Sequence, residues 1–265
     1  MLYTTNTFVP YNHSIEEADV VFLGVPFSST SVSETSQYGP LIVRESLRLI
    51  EDWDGKSNVF QKICDAGDLE VVPGSYELTA ERLRDTIKDI RATNPNAFLI
   101  FVGGEHLISL PIVEELRPKT IVQLDAHADL RPEFLGLKHS HVTWAYHASN
   151  ISRIIQLGVR SWSKEDDLSR AEQIEDITTI QKLNGPIHLT VDMDVFDPPY
   201  VKTGLPEPGG LRPEQVFAVI DSICKYNIGN IKSVDIVEIA DRSLPSNTGF
   251  LAAQIIKRVL SKRKE

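Results

Sequence analysis

The sequence predicts an α/β protein: an open, mainly parallel sheet covered by helices on both faces. Short, near-continuous apolar runs of β type recur along the chain, and longer helical patterns separate them. Polar residues gather where the apolar runs end, and in open α/β sheets ligands collect beyond the carboxyl ends of the strands. No linker, low-complexity tract or repeat divides the 265 residues, so a single domain over 1–265 is expected.

In chain order, ADVVFLGVP (18–26) reads as the first strand and 40–51 as the first helix. A helical pattern over 77–93 precedes the strand NAFLIFVGG (96–104), whose closing glycines let the chain turn sharply into a helix over 106–117. KTIVQLD (119–125) and RIIQLGV (153–159) follow as strands on either side of a polar loop, then a helix over 164–172. PIHLTVD (186–192), a helix over 212–226, IKSVDIVEI (231–239) and a helix over 248–262 complete the alternation.

Composition is that of a globular protein, 42% hydrophobic and 24% charged, with 27 basic against 37 acidic residues for a net charge of −10. That balance argues against a nucleic-acid partner, which requires a basic footprint, and suits a cationic small molecule. The N-terminus MLYTTNTFVPYNH lacks the basic and apolar regions of a signal peptide, and no apolar run approaches a membrane span. Cys64 and Cys224 form no disulfide framework and read as free buried thiols. The expectation is a cytoplasmic protein with no membrane partner, ending in a solvated basic helix terminus, KRVLSKRKE.

Chemistry concentrates at four strand ends. In TIVQLDAHADLRPEF, Asp125, His127 and Asp129 alternate, and on extended backbone side chains two apart share a side at a spacing of roughly 7 Å. In HLTVDMDVFDPP, Asp192 and Asp194 repeat the device, while Asp197 before two prolines reads as a turn residue. Paired carboxylates repel unless a cation or hydrogen bonds compensate them. In GGEH, Glu105 and His106 stand at a helix entry. The combined donors are two imidazoles and four carboxylates without cysteine, which favours Mn²⁺ over structural Zn²⁺. Four negative charges match two divalent ions, and such a pair can lower the pKa of bound water towards neutrality, so a hydrolase is expected. The fourth end, SVDIVEIADR, offers Glu238 and Asp241, of which a carboxylate could hold a guanidinium through a bidentate pair.

These blocks resemble the ureohydrolase family of arginases and agmatinases. GGEH is similar to its G-G-D-H block, DAHAD to D-A-H-x-D, and VDMDVFDP with PEPGGL to S-x-D-x-D-x-x-D-P…P-x-x-G-G-L. GVPFSS with YGPLIVRESL resembles the family's N-terminal region, and VEIADR…GFLAAQIIKRVL its C-terminal one, so the blocks run in order along nearly the whole chain. The resemblance implies a three-layer α/β/α fold with about eight strands, two Mn²⁺ per subunit and a trimer or hexamer. It implies that His106 and Asp129 hold one metal, His127 and Asp194 the other, with Asp125 and Asp192 bridging. Glu238 would hold a guanidinium, and His141 in HSHV would shuttle protons, His139 being the alternative. His13, His147 and His188 read as structural.

Hydrolysis of a guanidinium compound to urea and an amine is therefore expected, with Asp129 and His141 delivering a proton to the departing amine. The loop LRPEFLGLKHSH carries Pro132, Phe134, Leu135 and Leu137, which suits an aliphatic amine tail without a carboxylate. Agmatine, giving putrescine for polyamine biosynthesis, is the expected substrate. Arginine, guanidinobutyrate, or formiminoglutamate met by Arg131 or Lys138 are alternatives, as is a non-catalytic metal-binding relative. Glu105 and Leu107 depart from the family pattern beside a ligand, which implies altered metal affinity. The shortened DPPYVKTGLPEPGGL and the missing proline after Glu238 place the departures at the rim.

Overall fold

The computed structural model describes residues 12–30, 36–175 and 182–263. The segment 1–11, most of the stretch read for a targeting signal, and the last two residues of the basic C-terminus lie outside them. Eight strands form one sheet: β1 (Val20–Val25), β2 (Ile63–Asp68), β3 (Phe98–Gly103), β4 (Thr120–Leu124), β5 (Arg153–Leu157), β6 (Ala171–Ile174), β7 (Ile187–Asp192) and β8 (Ile231–Val237). Their spatial order is β2-β1-β3-β8-β7-β4-β5-β6, and every pairing is parallel. The helices are α1 (Gly39–Leu49), α2 (Tyr76–Thr93), α3 (Ser109–Leu116), α4 (Trp144–Ala148), α5 (Pro213–Asn227) and α6 (Asn247–Arg263).

The period of two along each strand divides the core between the faces. Val20 and Phe22 of β1 join Ile100, Val102, Val234 and Ile236 in the cluster that includes residues of α1, α5 and α6. Val21 and Leu23 join Leu99 and Phe101 in the cluster with residues of α2, α3 and α4. Crossovers built in this way bury both faces, which is why the strands read as continuous apolar runs.

The edges differ from expectation. β2 (ICDAGD) carries two aspartates and was not foreseen as a strand; Asp65 is buried against the Arg44 guanidinium at 3.0 Å. The helix expected over 164–172 is absent. Asp166 accepts from Ser163 N and Leu130 N, and Asp167 from Ser169 N and Oγ, so side chains take over backbone donors that a helix needs. A single 3₁₀ turn, Leu168–Arg170, leads directly into edge strand β6.

Gly103 and Gly104 serve close approach. A Cβ at Gly104 would lie 2.0 Å from the Phe27 carbonyl oxygen, and one at Gly103 would lie 2.6 Å from Ile108 Cδ1. Neither has positive φ, so the expected sharp-turn explanation gives way to one of packing. The four strands whose ends carried the polar blocks, β3, β8, β7 and β4, are consecutive in the sheet centre.

Candidate metal centre

The centre is built from adjacent carboxyl ends. β4 ends at Leu124, and Asp125, His127 and Asp129 follow; β7 ends in Asp192, with Asp194 in the 3₁₀ turn after it. His106 opens the 3₁₀ turn after β3, and Glu238 directly follows β8. The six expected metal ligands, Glu238 and His141 meet here, and seven of these eight, with Val142 and Leu205, line one cleft: His106, His127, Asp129, His141, Asp192, Asp194 and Glu238. Asp125 lies just beneath, fully buried.

Asp125 stands between the two imidazoles. Its Oδ2 is 3.0 Å from His106 Nδ1 and its Oδ1 3.7 Å from His127 Nδ1. Donor atoms of His106, Asp125 and Asp129 lie within 4.8 Å of one another, and so do those of Asp125, His127 and Asp194. Two potential metal positions thus share Asp125. Asp192 approaches His106 Nδ1 at 3.1 Å through Oδ2, while its Oδ1 accepts from Asp194 N at 2.8 Å. Its described contacts therefore reach His106 on one side and the backbone of Asp194 on the other.

Second contacts aim these donors. Gln123, two residues back on β4, donates to Asp125 Oδ2 at 2.8 Å and is itself held by Gln156. Ala126 N donates to Asp194 Oδ1 at 2.9 Å. Trp144 donates from Nε1 to Asp129 Oδ2 at 2.9 Å and stacks on His106 with ring centroids 4.5 Å apart. His106 Nε2 meets Thr190 Oγ1 at 2.9 Å, and Glu207 Oε1 lies 3.5 Å from His127 Nε2. Sequence reading missed Gln123, Trp144, Thr190 and Glu207. Gln123 and Thr190 carried a usable signal: each is polar inside an apolar strand and stands two places before a candidate ligand.

The electrostatics match the crowding. Burial first, then neighbouring carboxylates, pushes Asp125, Asp129 and Asp192 above the ordinary carboxylate range. Burial acts on Asp194 in the same direction, but the hydrogen bond and charge of His127 outweigh it and leave that group low. Burial also disfavours charge on His127, yet Asp194, Asp125 and Asp129 lift it to about 11; Asp125 and Asp192 likewise raise His106. Since a ligating imidazole must be neutral, metal entry displaces these protons. The donor set fits a metal: His106 Nδ1 is buried without a hydrogen-bond partner, its other nitrogen is tied outside, and oxygen donors face it. Cys64 and Cys224 are free, buried and elsewhere.

Two backbone positions within the centre are strained. Asp129 (φ 54°) and Glu238 (φ 61°) adopt the left-handed region without being glycine. Glu238 is fixed there by its N–H donating to Gly104 O at 2.8 Å, and its Oε1 accepts from His106 N at 3.0 Å. Burial, then the nearby Glu105 charge, pushes the Glu238 carboxyl up to about 8.

The departures also find places. Leu107 packs in the core, and Glu105 accepts from Ser29 N, Thr30 N and Thr30 Oγ1. His139 packs against the rings of Tyr76 and His147, whereas His141 lines the cleft. His188 is buried between Ser233 and Asp235. Asp241 bonds Lys202, Ser243 and Ser246 and belongs to the turn before α6. Asp197 accepts from Gly209 N and Gly210 N, which ties down the rim that carries Leu205 and Glu207.

Residues 18–261 match the model of the arginase family. The chain belongs to the arginase family. Agmatinase of Pyrococcus horikoshii is 31% identical over 98% of both chains. The N(1)-aminopropylagmatine ureohydrolase of Thermococcus kodakarensis is 33% identical over 91% of this chain and 89% of its own. The solved agmatine ureohydrolase of Thermoplasma volcanium superposes with a TM-score of 0.84 at 26% identity, covering 95% of this chain and 92% of that one. The eight-stranded sheet is thus the arginase-like α/β fold, and the chain is a ureohydrolase, a hydrolase of amidino C–N bonds in a family that typically binds a dinuclear metal site. Among the described residues no helix is long and apolar enough to cross a membrane.

Proposed function

We propose that this chain hydrolyses agmatine to putrescine and urea with two Mn²⁺ ions held by His106, Asp125, His127, Asp129, Asp192 and Asp194. The observation that carries this is a buried carboxylate, Glu238, lining the same cleft as these donors. A carboxyl pushed up to about 8 lacks a counter-cation, and an arriving guanidinium supplies one through a charge-assisted pair. Metal ions, when bound, activate water at neutral pH and offset the four aspartates. Glu238 orients the guanidinium, Asp129 and His141 move a proton to the departing nitrogen, and Trp144 keeps Asp129 in place. In the metal-free cleft burial, then positive charge on His127 and His106, pushes His141 down to about 4, and metal charge in place of those protons would act in the same direction and keep it neutral.

The aliphatic tail finds less of the expected loop than the sequence implied. Leu135 and Leu137 are exposed, while Phe134 reaches His141 edge-on at 6.0 Å and Val142 and Leu205 line the cleft. The agmatinase relative matched end to end supports agmatine. An N-aminopropyl-extended agmatine is the second reading, favoured by the 33% identical relative and by the partly exposed Leu205 at the mouth.

Urea release by Mn²⁺-incubated protein, measured with agmatine, N(1)-aminopropylagmatine and arginine in parallel, tests both. Agmatine is expected to give the highest kcat/KM. A preference for the extended amine selects the second reading, and urea from arginine alone overturns both.

A further inference from the structure

We infer that Glu105 and Thr30 form a positioning relay that fixes which ring nitrogen of His141 carries its proton. The inference rests on the proton-shuttle role proposed for His141. Thr30 Oγ1 lies 2.7 Å from Glu105 Oε1 and 3.4 Å from His141 Nδ1, and it accepts from His141 N at 3.1 Å. A threonine hydroxyl has one proton to give. A short bond to a carboxylate is the stronger use of that proton, so it goes to Glu105. Glu105 is held to receive it, because its other oxygen accepts from Ser29 N and Thr30 N at 2.7 Å each.

Towards His141, Thr30 Oγ1 is then left with lone pairs only. The Nδ1 contact is satisfied when Nδ1 carries the hydrogen, which leaves the Nε2 lone pair for the cleft. His141 is neutral near pH 7, so the tautomer matters: a shuttle must take up a proton on its cleft side before delivering it to the departing nitrogen, and the wrong tautomer presents an N–H there. Glu105 is thereby given a use away from the metals. It is an acceptor at fixed distance from a loop hydroxyl, one bond removed from the shuttle.

The test uses protein labelled with ¹⁵N-histidine, in which two-bond couplings distinguish Nδ1–H from Nε2–H in the metal-free chain. The His141 signal is assigned by its loss in H141A. Wild type and T30S are expected to show Nδ1–H at His141, and T30V to show Nε2–H or a mixture. In the Mn²⁺-loaded enzyme T30V is expected to lose about 10- to 100-fold in kcat with KM little changed, and T30S to recover most of it. E105Q, which can donate to Thr30 as well as accept, should fall between. Nε2–H in the wild type, or an unchanged tautomer and kcat in T30V, overturns the relay. Full activity in H141A instead removes the proton-shuttle role, while the tautomer spectra still judge the relay independently.

Discussion

The edge and the centre of this sheet both bury carboxylates, and they neutralise them by different means. At the edge, Asp65 of β2 receives the fork of Arg44, Nε to Oδ2 and Nη2 to Oδ1 at 3.0 Å each, and the same guanidinium bonds Asp68. The cation there is part of the chain. At the centre, Asp125, Asp129, Asp192 and Asp194 face one another with two imidazoles between them; among the described residues none is paired with lysine or arginine. A buried charge left without a partner is costly, and the two imidazoles that answer these aspartates lose their protons when they ligate, so the cluster is a cradle to be filled from solution. The fixed arginine marks the edge cluster as structural, whereas the displaceable protons on His106 and His127 leave the centre open to a metal.

The largest effect should come from breaking the centre. Asp125→Asn removes the carboxylate shared by both potential metal positions and should lower kcat/KM by at least about 10³-fold, roughly 4 kcal/mol of barrier. Metal content by elemental analysis should fall with it, while Tm of the metal-free protein is held or raised. Loss of fold instead would mean that the cluster is structural.

Breaking the edge should do the reverse. Arg44→Met strands Asp65 without its fork and should cost about 3–5 kcal/mol, roughly 10 °C in Tm. The folded fraction should still bind metal with unchanged stoichiometry, as titration at low temperature would show.

A smaller effect sharpens the contrast through its sign. Burial, then Asp194 and Asp125, raises the Asp192 carboxyl well above its ordinary value. An acid whose folded pKa lies above its unfolded value costs the fold stability as pH rises from the unfolded value through the folded one, because the unfolded carboxyl ionises more readily. In chelator-treated protein at pH 8, Asp192→Asn should therefore raise Tm, by about 1 kcal/mol or roughly 2–4 °C. Asp65→Asn, which weakens a satisfied pair, should lower it. Equal signs for the two variants would erase the distinction between edge and centre.

The same contrast governs how much could be read in advance. The central strands are apolar on both faces, so their ends stand out, and alternation in DAHAD and DMD displays the donors directly. At the edges, one aspartate pairs with an arginine from α1 and another strand is half-exposed, so neither β2 nor β6 resembles a buried run. Trp144 and Thr30 were illegible for another reason. Trp144 sits in a helix of five residues and Thr30 in a loop, and only the tertiary fold brings them to Asp129 and His141. The helix expected over 164–172 failed because Asp166 and Asp167 spend their carboxylates on local backbone.

Asp241 tests a third way of neutralising a carboxylate, by hydrogen bonds near a surface lysine, and its effect should vanish in acid. Burial raises its pKa, but donors from Ser243 N, Ser246 Oγ and Lys202 Nζ outweigh it and hold the group at about 2. An unfolded aspartate titrates near about 3.9. The stabilisation is therefore complete above that value and is lost as pH falls through about 2. Asp241→Asn keeps one acceptor oxygen and turns an amide towards donors, so it should cost about 1 kcal/mol at pH 7. The gap between variant and wild type should close on acidification from about pH 4 to pH 2, as urea melts at stepped pH would show. A gap that stays constant would mean that the side chain acts by shape, and hydrogen bonding would then drop out of the comparison.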